Sequence, residues 1–198
     1  NKEMVQARTQ FLNSGGYAFL KQELVNLTKK YDSHVLCDLG CGEGYYTAGF
    51  AAEEKYGFDM SKEALKHASK NDTSTQYAVA SIFRLPLEDA SCDTAVTCFA
   101  QFAKDEIERV LTHGGRFFFV SPGPKHLFEL KQLIYDTPYE NEMKDLETTL
   151  VKEEEYFISN TFHCEKENLI SLFKMTPYYH RTRNEDLDKI NHQDGMDI

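Results

Sequence analysis

The sequence predicts an α/β fold, a mostly parallel twisted sheet with helices on both faces. Three observations carry this. From position 35 onward short apolar runs alternate with helical patterns, as a sheet built from βαβ units requires. One run, Val35-Leu36-Cys37-Asp38-Leu39, passes straight into the glycine-rich Gly40-Cys41-Gly42-Glu43-Gly44. A second run closes on another acid, Asp59, in Gly57-Phe58-Asp59-Met60-Ser61.

Taken in order, 8–13 and 17–30 read as helices broken by Ser14-Gly15-Gly16. Strands are expected at 34–39, 55–58, 76–80, 94–99 and 116–121. Helices are expected at 45–53, at 62–69 with Ser61 as its cap, and at 104–111. Pro122-Gly123-Pro124 stops the fifth strand, and Leu127, Leu130, Leu133 and Ile134 then recur with a helical period over 125–135. A strand at 156–162 and a helix at 165–174 follow. The chain reads as one domain, with 1–30 covering the cofactor cleft, 31–135 as the cofactor-binding core and 136–198 as a substrate-side segment. The acidic stretch 140–155 reads as a solvated, mobile connection.

Composition narrows the class. The 198 residues are 41% hydrophobic and 13% aromatic, enough for a core and too apolar for a disordered chain. No run approaches the roughly 18–20 apolar residues of a membrane span, and the amino end is polar, so a cytoplasmic protein without a membrane partner is expected. Cys37, Cys41, Cys92, Cys98 and Cys164 match neither a metal knuckle nor a disulfide framework, so reduced thiols and no metal in this chain are expected. The net charge of −10 argues against a nucleic-acid partner until its distribution is considered. Residues 140–155 carry seven acids against two bases and 185–198 five against one, which permits a locally basic cleft elsewhere.

The glycine loop is the informative segment. A buried strand ending in an acid and a glycine turn lets the backbone approach a ligand at the carboxyl edge of the sheet. Gly40, Gly42 and Gly44 depart from the dinucleotide spacing, whose third glycine would fall on Tyr45. Asp38 would repel a pyrophosphate, whereas it suits an ammonium or sulfonium. S-adenosylmethionine fits, with Asp59 placed to take its ribose hydroxyls and Ser81, at the end of the third strand, within reach of the adenine edge.

Several further stretches carry a resemblance. Glu3-Met4-Val5-Gln6-Ala7-Arg8, Phe11-Leu12, Gly16-Tyr17, the loop from Asp38 to Thr47, Arg84-Leu85-Pro86, Pro122-Gly123-Pro124-Lys125-His126-Leu127, Glu129-Leu130-Lys131 and Met175-Thr176-Pro177 look like the RlmA (RrmA) family. Those enzymes methylate guanine N1 in a hairpin of bacterial large-subunit ribosomal RNA. The resemblance implies a Rossmann-like, S-adenosylmethionine-dependent class I methyltransferase fold, with cofactor contacts at Tyr17, Gly42, Glu43 and His126. Family members carry a four-ligand zinc module ahead of the E-M-x-Q-A-R run, so zinc is expected only if such a module precedes this chain. They also continue into a final strand, which would start near Asp194. A truncated record is the simplest reading of that end.

Methyl transfer is an in-line displacement, so positioning and water exclusion supply most of the catalysis. Guanine N1 must lose a proton, and Glu43, Asp105 and His126 are the candidate bases. Lys125, Lys131, Arg84, Arg8 and Arg116 are candidate phosphate contacts, and a homodimer could add a second basic cleft. Two other readings stay open, a methyltransferase acting on a small molecule and a non-catalytic RNA-binding protein. Cys98 raises a cytosine-C5 nucleophile, although a strand cysteine is usually a small buried hydrophobe.

Overall fold

The computed structural model describes residues 2–143 and 145–198, apart from the side chains of positions 180 and 184. Positions 1 and 144, the first within the expected cleft cover and the second within the acidic connection, lie outside the described residues. The chain divides into two compact units. One comprises residues 20–121 and 145–156, the other residues 1–19, 122–144 and 157–198.

The first unit holds the expected sheet. Strands β1 (Val35–Leu39), β2 (Glu54–Asp59), β3 (Thr75–Val79), β4 (Cys92–Cys98) and β5 (Leu111–Val120) pair in the order β3-β2-β1-β4-β5. Every pairing is parallel. The order reverses between β1 and β4, the crevice where open α/β sheets place ligands. Cys37, Leu39, Phe58, Ala95 and Ile107 are buried in its core. Helix α3 (Lys62–Asn71) starts as expected, with the Ser61 hydroxyl accepting from Ala64 N. Helix α4 (Lys104–Val110) precedes β5. That last strand begins five residues earlier than expected, because Gly114 at φ 80° and a register shift opposite Cys92 and Thr94 carry the irregularity inside the strand.

Three expectations fail for physical reasons. The helix expected at 45–53 is only turns and a short 3-10 helix, Thr47–Gly49. Its hydrogen-bonding groups are claimed elsewhere: Lys55 Nζ donates to the Thr47 and Ala48 carbonyls, and Ala51 N donates to Thr28 Oγ1. The stretch 156–162 forms no strand; Tyr156, Phe157 and Ile158 stay exposed. Residues 145–155 of the acidic connection are tethered rather than loose. The Glu108 carboxylate accepts from Thr148 Oγ1 at 2.7 Å and Thr149 N at 2.8 Å, Leu150 packs on the core, and Glu154 meets Lys30 at 3.4 Å.

In the second unit α1 (Lys2–Asn13) packs along α6 (Lys166–Met175), with Phe11 fully buried and edge-on to Tyr17 at 5.3 Å. Helix α2 (Ala18–Lys30) runs from this unit into the first. The helix expected at 125–135 shortens to α5 (Phe128–Ile134), because Leu127 adopts a left-handed φ of 54° ahead of it. Helix α7 (Asn184–Asn191) packs on α5. Two three-residue strands, β6 (His163–Glu165) and β7 (Gly195–Asp197), pair antiparallel in a separate two-stranded sheet. No helix among the described residues is long and apolar enough to cross a membrane.

Candidate cofactor site

β1 delivers the chain to the glycine loop, and β2 anchors it. The Phe58 carbonyl accepts from both Gly40 N (2.8 Å) and Cys41 N (3.0 Å). Gly40 has φ 82°, and a Cβ built there would lie 2.7 Å from the Ala100 Cβ. Gly44 has φ 76°, and a Cβ would lie 2.6 Å from the Tyr77 hydroxyl and 3.0 Å from the Ala68 Cβ. Left-handed backbone and close packing therefore coincide at two loop positions, which is why no other residue serves there. Gly40→Ala is expected to destabilise the protein by about 1–2 kcal/mol. An unchanged denaturation midpoint would show that the loop shifts without strain.

Two carboxylates flank this loop in the same unit. Asp59, the last residue of β2, accepts from Gly42 N at 2.9 Å through Oδ2 and from Ser61 N at 2.7 Å through Oδ1. Asp38 is buried near the end of β1, and its Oδ2 accepts from Thr47 Oγ1 at 2.5 Å. Glu43 is buried within the loop itself. These acids are legible in the sequence, whereas the contacts around them are not. Lys55, buried in β2, meets Asp72 at 3.7 Å, and Asp72 also accepts from Thr75 Oγ1 (2.6 Å) and from the Tyr77 hydroxyl (3.2 Å). Burial opposes the Asp72 charge, but hydrogen bonds from Ser74 and Thr75 and the Lys55 ammonium outweigh it, bringing its pKa to about 2. The Tyr77 hydroxyl held by this knot is the atom against which Gly44 packs.

Ser81 is half-buried just past β3 in a turn, its hydroxyl accepting from Phe83 N at 3.2 Å. Beside Asp59 and Ser81 the chain exposes Met60 and Phe83 (69% and 57%), apolar surface that the sequence reading did not single out. Asp105 is exposed in the first turn of α4. Glu106 one residue on is tied to Arg109 at 2.8 Å and accepts from Leu85 N at 2.6 Å, fixing the 84–89 loop. Cys98 is buried at the end of β4, and all five cysteines are free thiols.

The other unit contains Tyr17 and His126, whose hydroxyl and Nε2 are hydrogen-bonded at 2.7 Å. Burial, reinforced by Lys131, lowers the His126 pKa to about 4, so the ring is neutral at pH 7. Burial raises the Tyr17 phenol well above its usual value.

The expected phosphate contacts fare unevenly. Lys131 is fully buried. Its ammonium donates to Tyr139 O (3.0 Å) and Asn141 Oδ1 (2.7 Å) and sits 4.2 Å over the Tyr139 ring, so it is structural. Arg116 lies over the Tyr31 ring at 4.3 Å and pairs with Glu153 at 3.6 Å. Arg84 and Lys125 are exposed, and Arg8 is half-buried. Among the described residues no cluster of three or more His, Cys, Asp or Glu side chains could hold a metal.

Residues 30–192 match the family described as methyltransferase domain. The chain belongs to that methyltransferase family. Its sheet order, glycine loop and flanking helices are those of the Rossmann-like class I methyltransferase fold. A Streptomyces fradiae protein named as a 23S rRNA (guanine(748)-N(1))-methyltransferase is 34% identical over 65% of this chain and 49% of its own length. A Bacillus subtilis protein named as a candidate 23S rRNA guanine-N1 methyltransferase is 30% identical over 69% of this chain and 53% of its own. This methyltransferase thus spans about half the length of the curated relatives it matches. Among solved structures, the YcgJ protein of Bacillus subtilis is 25% identical over 57% of each chain, with a TM-score of 0.45.

Proposed function

We propose that this methyltransferase domain binds S-adenosylmethionine on the 40–44 loop and that the protein containing it methylates N1 of a guanine in large-subunit ribosomal RNA. The observation that carries the cofactor assignment is Asp59. Each of its oxygens accepts one backbone N–H. A carboxylate has about four lone-pair sites, so acceptor capacity remains for two vicinal ribose hydroxyls. The loop would receive the amino-acid end of the cofactor, with Asp38 and Glu43 as the anionic groups suited to its positive charges. Met60 and Phe83 would supply apolar surface for the adenine, and Ser81 its polar edge.

When bound, the cofactor supplies an electrophilic methyl group on sulfur. The protein's part is to hold the acceptor nitrogen in line and to keep water away. The RNA assignment is supported by the names of the two relatives and by the family resemblance of the amino-terminal run and the Gly-Pro-Lys-His-Leu turn.

Incubating the full-length protein with methyl-labelled cofactor and ribosomal RNA is expected to place label on a single guanine N1. Label on cytosine C5, or only on small metabolites, would overturn the RNA assignment while leaving the cofactor site standing.

A further inference from the structure

Strand alternation places Lys55 and Gly57 on one face of β2, and the register with β3 adds Thr75 and Tyr77 to the same face. A lysine is unexpected there, because the strands of a parallel sheet are covered on both faces. Its side chain is only 8% exposed, and the carboxylate it meets at 3.7 Å, that of Asp72, is 9% exposed. Withdrawing two charges from water costs more than their attraction need return, so such a pair is a weak device for stability. What it holds is more specific.

The Lys55 ammonium has three donors. It donates to two main-chain carbonyls just past the glycine loop, Thr47 O at 3.2 Å and Ala48 O at 3.4 Å. The Thr47 hydroxyl in turn donates to Asp38 at 2.5 Å, so the lysine fixes the residue that orients this carboxylate. The Asp72 end holds the opposite flank. Its Oδ2 accepts from Thr75 Oγ1 at 2.6 Å and from the Tyr77 hydroxyl at 3.2 Å. Tyr77 lies across Gly57, where a Cβ would stand 2.6 Å from two ring carbons, and its hydroxyl closes the space beside Gly44. One buried pair thus grips both ends of the segment 44–48.

We infer that the Lys55–Asp72 pair is the positioning element of the cofactor loop: it sets where the backbone 44–48 and the Asp38 carboxylate stand, and hence how tightly the amino-acid end of the cofactor is held. The inference rests on the proposed S-adenosylmethionine site. Neither residue takes part in methyl transfer. Lys55 acts through Thr47 and Ala48, and Asp72 acts through Tyr77. Asp59, assigned to the ribose, bonds to Gly42 N and Ser61 N instead, so the nucleoside end is held by other contacts.

The test uses the full-length protein carrying Lys55→Met or Tyr77→Phe, which cut the two arms separately. Calorimetry gives the Kd for two probes: S-adenosylhomocysteine, which carries the amino-acid end, and methylthioadenosine, which carries the same nucleoside without it. Lys55→Met should weaken S-adenosylhomocysteine binding about tenfold or more, the order expected when charge-assisted hydrogen bonds that hold a site are lost. Tyr77→Phe keeps the ring over Gly57 and loses only the hydroxyl, so it should weaken binding about three- to tenfold. Methylthioadenosine should stay within about twofold of wild type in both variants, which also reports a folded nucleoside site. Unchanged S-adenosylhomocysteine binding in either variant would overturn the assignment, and so would equal losses for the two probes, which would make the pair a prop of the whole fold. Wild-type protein that binds neither probe would instead overturn the proposed cofactor site itself, a result distinct from any loss confined to the variants.

Discussion

Replacing Asp59 with alanine is expected to weaken S-adenosylmethionine binding by about 1–3 kcal/mol, roughly 5- to 150-fold in Kd. Two effects contribute, and they can be separated. The ribose hydroxyls lose a charged acceptor, and charge-assisted hydrogen bonds are the stronger kind. In addition Gly42 N and Ser61 N lose the acceptors that hold them at 2.9 and 2.7 Å, so the loop loses its tie to the end of β2. Asp59→Asn keeps one carbonyl oxygen and the shape of the side chain while removing the charge. If anchoring the loop dominates, asparagine should retain much of the affinity and alanine little. If the charged acceptor dominates, both variants should fall together. Calorimetry on the three proteins reads the outcome, and an unchanged Kd for alanine would remove Asp59 from the site.

The parts of this site that were legible in the sequence are those where one residue declares both its backbone and its chemistry. A glycine after a buried strand announces left-handed backbone and close approach, and an acid at a strand end announces a polar edge. These signals anticipate the positions that Gly40, Gly44, Asp38 and Asp59 take around the loop. What stayed hidden depends on long-range partners. The 45–53 segment has a helical pattern, yet the Lys55 ammonium and the Thr28 hydroxyl take its backbone groups. Lys131 has the composition of a surface contact, but Tyr139 and Asn141 bury it. The apolar run at 156–158 looks like a strand and has no partner among the described strands, whereas 163–165 pairs with the final residues of the chain.

Lowering the pH from 7 to 5 is expected to cost the protein about 2 kcal/mol of stability through His126 alone. The sign follows from the direction of its shift. Burial and the neighbouring Lys131 ammonium take the folded pKa down to about 4, against an ordinary histidine value of 6.5. The unfolded chain therefore binds this proton first. Stability is fully present above pH 6.5 and is lost as the pH falls toward 4, by up to about 1.4 kcal/mol per pH unit. Tyr17 is hydrogen-bonded to it at 2.7 Å but carries no negative charge, its phenol being raised by burial, and Lys131 is itself a cation. Between pH 6.5 and 5 the contribution stands apart from the carboxylates, because Asp72 and Glu106, both with pKa values of about 2, begin to lose their stabilisation only near pH 4.5. His34 shifts in the opposite sense through Glu53, but it is fully exposed and solvent screens the pair. Denaturant unfolding of wild type and His126→Gln across pH 7 to 5 isolates the effect. Glutamine removes the titrating ring, so the variant should lose the wild-type slope in this window. Identical slopes in the two proteins would show that His126 titrates normally and that the Tyr17–His126 pair is open to water.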